Sequence, residues 1–184
     1  ASEKFSQSPP ALRAHNSPRQ FRRDLQLEML VEEIVVPYAP LAPLAEAEKE
    51  MAKLEPHKDE WGGSMMLYMH NKAVVEAHAK PALTGRKFQQ AIIRIGPLAI
   101  IPMPWELFAD VSLRTRQGSP FAYTLCCSVS NGWLGYLPTR EARHRGGYEP
   151  LACKMVGPYL PVENIDDVLV AENLRLLRKM AESK

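Results

Sequence analysis

The chain has 184 residues, 46% of them hydrophobic, and a net charge of +2. This length favours one domain with a real core, and the composition excludes a chain that is disordered throughout. The balanced charge gives no broad basic field, and no apolar run approaches the roughly 20 residues that span a bilayer, so we predict no nucleic-acid partner and no transmembrane segment.

Sequence patterns in the first half predict an arm, a strand and two helices. Residues 1–20 are polar with two Ser-Pro pairs, which is typical of a flexible N-terminal arm. Alternation over residues 25–37 predicts a strand. Residues 45–56 are charged and predict a short surface helix, and a helical period predicts a longer helix over residues 59–80. The buried face of the strand is predicted to carry Leu25, Leu27, Met29 and Val31.

The second half alternates strands and helices. Residues 88–95 and 98–101, joined by Gly96-Pro97, predict a β-hairpin. A helix is expected over 105–116, a second hairpin over 121–137 with its turn at Asn131-Gly132, and helices over 139–145 and 164–180. This order predicts a mixed β-sheet with helices packed on it, in the α/β or α+β class.

Three segments between residues 100 and 150 carry chemically useful side chains. Glu106 follows a buried apolar strand and is predicted in the first turn of a helix, where a carboxylate is stabilised by the helix dipole. Trp133 stands between glycines that let the backbone approach a ligand closely, or it belongs with Tyr136 to an aromatic rim of the hairpin. Arginines 140, 143 and 145 form a positive cluster that could bind an anion, or could be a solvated helix face paired with its own glutamates.

Familiar catalytic motifs are absent from the sequence. It contains no HExxH, GxSxG, GxGxxG, phosphate-binding loop or paired CxxC. The spacing of the three cysteines matches no zinc template. Residue patterns alone therefore assign no nucleophile with an adjacent base.

Two blocks of the chain resemble the neutral ceramidase family. They are AIIRIGPLAIIPMPWELF, residues 91–108, and SPFAYTLCCSVSNGWLGYLPTREARHRGGYE, residues 119–149. The two blocks agree with the family in their order and spacing. They also share its short motifs Gly-Tyr, Pro-Thr and Gly-Gly-Tyr-Glu. The region of resemblance covers about a third of the chain.

The resemblance implies a zinc-dependent amidase site. In the family, zinc is held by two histidines, a glutamate and a tyrosine, and a second tyrosine polarises the scissile carbonyl. By this resemblance Glu106 and Tyr136 are the metal ligands and Tyr148 is the catalytic tyrosine, while Trp133 and Arg140 are expected to contact substrate. The histidine ligands belong to the family's N-terminal half. None of the chain's own histidines has the matching context: His15, His57, His70, His78 and His144.

We therefore expect residues 21–184 to be a ceramidase-like C-terminal catalytic half-domain. It would be an incomplete part of a larger hydrolase acting on an amide, such as that of an N-acyl lipid. The histidine half of the site would come from a missing N-terminal segment, a partner chain or a second copy, and zinc would bind only when that half is present. The first residue, Ala, indicates a removed leader or a piece of a longer chain. The alternative is a non-enzymatic binding or assembly module that retained the fold, and an anion- or RNA-binding domain is the weakest interpretation.

Overall fold

The computed structural model describes residues 25–183. The predicted N-terminal arm lies outside these residues. The predicted fold class is confirmed, since the chain forms a mixed sheet with helices packed on it.

The main sheet has four strands in the order β1, β2, β3, β5. The strand β1 pairs antiparallel with β2, and β2 pairs antiparallel with β3, which confirms the predicted first hairpin. The strands β3 and β5 are parallel neighbours. The strands are β1 (Leu27–Pro37), β2 (Gly85–Ile95), β3 (Leu98–Pro102) and β5 (Tyr123–Cys127), and a separate parallel pair consists of β4 (Glu106–Leu107) and β6 (Tyr136–Leu137).

Six α-helices and two 3-10 turns connect and cover these strands. The helices α1 and α2 pack against each other, and α3 packs against α6. The bounds are α1 (Leu44–Leu54), α2 (Gly63–His78), α3 (Ala109–Gly118), α4 (Arg140–Arg145), α5 (Tyr148–Ala152) and α6 (Ile165–Glu182), with 3-10 turns at Glu55–His57 and Cys153–Val156.

The core lies between one face of the sheet and the helices α3 and α6. Leu169, Leu176 and Leu177 of α6 are fully buried against this face. An ion-pair network also ties the two helices together, because Arg114 of α3 contacts Asp166 at 2.6 Å and Asp167 at 2.6 Å. Asp166 is itself buried, so the guanidinium offsets the cost of burying its charge.

The opposite face of the sheet is apolar and exposed. The prediction that Leu25, Leu27, Met29 and Val31 face the core is wrong, because all four are exposed, Leu27 at 72% and Met29 at 69%. The core-facing residues of β1 are instead Ile34 and Val36. Both faces of β1 are apolar, so alternation alone could not identify the covered one.

The structure also corrects the elements around residue 106. Glu106 lies in β4, and α3 begins only at Ala109, so the helix dipole does not act on this carboxylate as predicted. The predicted second hairpin is wrong as well. The strand β6 pairs with β4 and not with β5, because long-range bonds to the 103–107 segment replace the hairpin ladder.

Candidate active site

The candidate site begins where the parallel strands β3 and β5 end. The backbone N–H of Met103 donates to the Cys127 carbonyl at 2.9 Å, and that of Val129 donates to the Trp105 carbonyl at 2.9 Å. These bonds keep the two segments that follow β3 and β5 side by side beyond the end of the sheet. Glu106 therefore lies at the carboxyl edge of a parallel pair, the edge at which open α/β sheets bind ligands.

A close backbone approach at Gly135 fixes the position of Glu106. The Glu106 N–H donates to the Gly135 carbonyl at 2.9 Å, and Glu106 pairs with Tyr136 across β4 and β6. Gly135 has φ +84°, and a Cβ there would come within 2.5 Å of the Val156 side chain. The sequence argument that glycine here permits close approach thus has a definite physical basis.

Four of the predicted site residues converge beside this contact, and we call them the Glu106 cluster: Glu106, Trp133, Tyr136 and Tyr148. The Trp133 indole Nε1–H donates to Glu106 Oε1 at 3.1 Å. Tyr136 is the strand partner of Glu106 across β4 and β6, and the Glu106 carboxylate acts on its phenol electrostatically. The rings of Tyr136 and Tyr148 meet edge to face with centroids 6.0 Å apart. The cluster thus assembles one carboxylate and two phenols on an open surface.

The electrostatics of the cluster keep Tyr136 protonated. The Glu106 carboxylate raises the pKa of Tyr136 because it favours the protonated phenol as a donor, and desolvation and the neighbouring Tyr148 and Glu149 raise this pKa further. A phenolate beside a carboxylate would be a like-charge pair. In this arrangement Tyr136 acts as a hydrogen-bond donor, and a nearby cation would be needed to make it an anionic ligand.

The described residues do not by themselves fit a zinc ion. Residues 25–183 hold no group of three His, Cys, Asp or Glu side chains placed to bind a metal. His70 is buried, with its Nδ1 3.2 Å from the Gly157 carbonyl, and His144 Nε2 lies 2.6 Å from Glu163. Catalytic zinc usually takes three protein ligands, so the pair Glu106 and Tyr136 is an incomplete set.

Arg140 is not among the contacts of the Glu106 cluster. Its guanidinium donates to Asp167 at 3.3 Å. The other two arginines of the predicted positive patch have partners of their own, since Arg143 donates to the Pro161 carbonyl and Arg145 pairs with Glu141. The three side chains thus form separate contacts, as expected for a solvated and partly buried helix face.

Sequence reasoning missed a cavity that shares Tyr136 with the cluster. It has a volume of about 580 Å³ and lies between α2, the ends of β1 and β2, and residues 153–161. Trp105 and Val36 form its buried part, and Tyr38 and Tyr159 stack at 5.2 Å on its wall. Residues from five distant segments meet here, so no local pattern could have indicated the cavity.

Comparisons with known proteins give a limited result. No protein-family model and no curated protein sequence matches the chain. Two solved structures are distantly similar in fold: a ceramidase complexed with C2 and a neutral ceramidase from Pseudomonas aeruginosa. The first is 20% identical with a TM-score of 0.42 over 51% of this chain, and the second 14% identical with a TM-score of 0.46 over 84%.

This chain spans only 15% and 29% of those two chains. With TM-scores this low, the likeness carries no argument about activity. Within residues 25–183, no helix has the length and apolar character needed to cross a membrane.

Proposed function

We propose that this chain supplies the carboxylate and phenol half of the active site of a ceramidase-like, zinc-dependent amide hydrolase. The observation that carries the proposal is the Glu106 cluster. Trp133 donates to the Glu106 carboxylate, Tyr136 pairs with Glu106 across β4 and β6, and Tyr148 packs on the ring of Tyr136. A set of unrelated surface residues would have no reason to converge in this way.

Each member of the cluster has a chemical role in the proposal. Glu106 and Tyr136 supply two oxygen donors at one point, and the missing half supplies the imidazoles that zinc requires. Tyr148, exposed beside Tyr136, donates a hydrogen bond to the carbonyl oxygen as negative charge develops on it. Trp133 offers an apolar wall for substrate, and the exposed Arg140 contacts a more distant polar part of it.

The exposed face of the sheet supports a missing partner. Several of its large apolar side chains are exposed on one face, and a contiguous exposed apolar patch is typical of an interaction surface. We propose that the histidine-bearing half covers this face, with a second copy of the chain as the other candidate. The six exposed large hydrophobic side chains on this face are Leu27, Met29, Val31, Val35, Tyr123 and Leu125.

The substrate in the proposal is an N-acyl amide, such as an N-acyl lipid. The support is the apolar cavity that shares Tyr136 with the cluster, since an acyl chain needs an apolar site close to the reacting carbonyl. The alternative is a non-enzymatic binding or assembly module. The absence of any histidine from the contacts of the cluster within residues 25–183 favours this alternative.

The test uses the protein in its native assembly, recovered from its own cells through a tag on this chain. Amide hydrolysis is measured with N-acyl substrates of several chain lengths. We expect turnover with the wild type and its loss, by at least about a hundredfold, in Glu106→Gln. The matched control is Glu60→Gln, an exposed carboxylate whose contact is His57. Turnover unchanged by Glu106→Gln would refute the proposal, and an assembly with no turnover would favour the binding module.

A further inference from the structure

The cavity beside the Glu106 cluster has the size of a ligand site. Its volume of about 580 Å³ falls within the roughly 300–1,000 Å³ common for small-molecule pockets. Most of its wall is apolar or aromatic, with a few polar groups. The apolar and aromatic wall residues include Val36, Tyr38, Leu83, Trp105, Leu134 and Val156.

Arg86 brings a positive charge to this apolar wall. It is half-buried and sits directly opposite Val36 in the antiparallel β1–β2 ladder, so both residues lie on the same face of the sheet. Val36 is 2% exposed, and both residues line the cavity. The register of the ladder therefore places the guanidinium on the inner, cavity-facing side of β2.

The guanidinium of Arg86 lacks a carboxylate partner within the described part of the chain. Its neighbours on β2 are paired, since Lys87 contacts Glu33 at 2.8 Å and Arg94 contacts Glu28 at 3.3 Å. Glu76 of α2 and Lys80, two residues after its end, also line the cavity; both are exposed, and their formal charges are opposite. Arg86 is thus the uncompensated charge of the cavity wall.

We propose that this cavity binds an elongated apolar molecule that carries one carboxylate, with the carboxylate on Arg86 and the apolar part along the aromatic wall. A guanidinium matches the two oxygens of a carboxylate in a bidentate pair. One guanidinium in an apolar wall suits a single negative charge, whereas a phosphate dianion needs more donors. The proposed function assigns the acyl chain of its substrate to this same cavity, but the present inference does not rest on that assignment, because such binding needs neither Glu106 nor a metal ion.

The test is calorimetric titration of the 184-residue chain with dodecanoate below its micellar concentration. The matched ligand is 1-dodecanol, which keeps the chain length and removes the charge. We expect dodecanoate to bind and Arg86→Gln to weaken it roughly 10- to 100-fold, with dodecanol binding unchanged. The matched variant is Lys87→Gln, next along the strand and outside the cavity lining, which should bind dodecanoate like the wild type.

Three outcomes would overturn the inference. The first is no binding of dodecanoate to the wild-type chain, and the second is the same dodecanoate affinity in the wild type and in Arg86→Gln. Binding that survives Arg86→Gln but is lost in Met29→Lys would assign the ligand to the exposed sheet face instead. Circular dichroism of each variant checks that the fold is retained, and none of these readouts depends on amide hydrolysis.

Discussion

Glu106 lies directly opposite Tyr136 across the parallel strands β4 and β6, and its carboxylate raises the pKa of the Tyr136 phenol. The two residues are far apart in sequence, and the backbone bond from Glu106 to Gly135 sets their register. Their contact therefore depends on the tertiary structure around the two short strands. Changes that disturb this register should disturb the site before they unfold the chain.

Gly135→Ala should be more destabilising than the same change at another glycine of similar φ whose Cβ would have open space. The substituted residue would have to keep φ +84°, and its methyl group would come within 2.5 Å of the Val156 side chain. The left-handed conformation alone costs about 1–2 kcal/mol, and the contact adds to it. The control is Gly146→Ala, where φ is +77° and nothing lies within 4 Å. Urea unfolding measures both, and equal losses of free energy of unfolding would contradict the close approach at Gly135.

The exposed sheet face should make the isolated chain self-associate or bind hydrophobic dyes. Replacing Met29 and Leu125 with lysine should reduce dye fluorescence and shift sedimentation towards the monomer, because both side chains point from the uncovered face. Met69→Lys is the control, since Met69 is exposed on α2, away from this face. A wild-type chain that sediments as a monomer and binds no dye would count against a docking role for the face.

Cys153 should be the least reactive thiol at neutral pH. Burial raises its pKa to about 11 from an ordinary value near 9, against the opposing effect of Arg143. The raised pKa means that this thiol contributes stability below about pH 9, and that the contribution is lost as the pH rises through about 11. Alkylation by iodoacetamide, followed by peptide mass spectrometry, checks this against Cys127 in the same molecule. Equal rates at pH 8 in the folded chain would contradict it, whereas equal rates in denaturant are expected.

The sequence predicted most of the helices and strands, but not which face of β1 packs against the core. The first hairpin and the C-terminal helix follow from local patterns, and the structure has both. On β1, however, Ile34 and Val36 are as apolar as Leu27 and Met29 on the other face. The packing of α6 decides which face is covered, and this information lies more than a hundred residues away.

The site was less accessible to sequence reasoning than the fold. Local spacing predicted a helix at Glu106. The backbone hydrogen bonds of residues 105–107 instead go to distant segments, and local spacing cannot indicate such partners. Only motif resemblance singled out Glu106 together with Tyr136 and Tyr148. Nothing local marked Arg86, which lies in the polar stretch before β2 becomes apolar, as the charge of a cavity wall.

Zinc titration of the isolated 184-residue chain tests the central claim most directly, with an N-acyl amide hydrolysis assay alongside. The account predicts micromolar or weaker zinc binding and no turnover. Glu106 and Tyr136 are two oxygen donors, the second with a raised pKa, and a catalytic zinc usually takes three protein ligands. Sub-micromolar zinc binding, or turnover that Glu106→Gln abolishes in this chain alone, would show that the site is complete here and would contradict the half-site account.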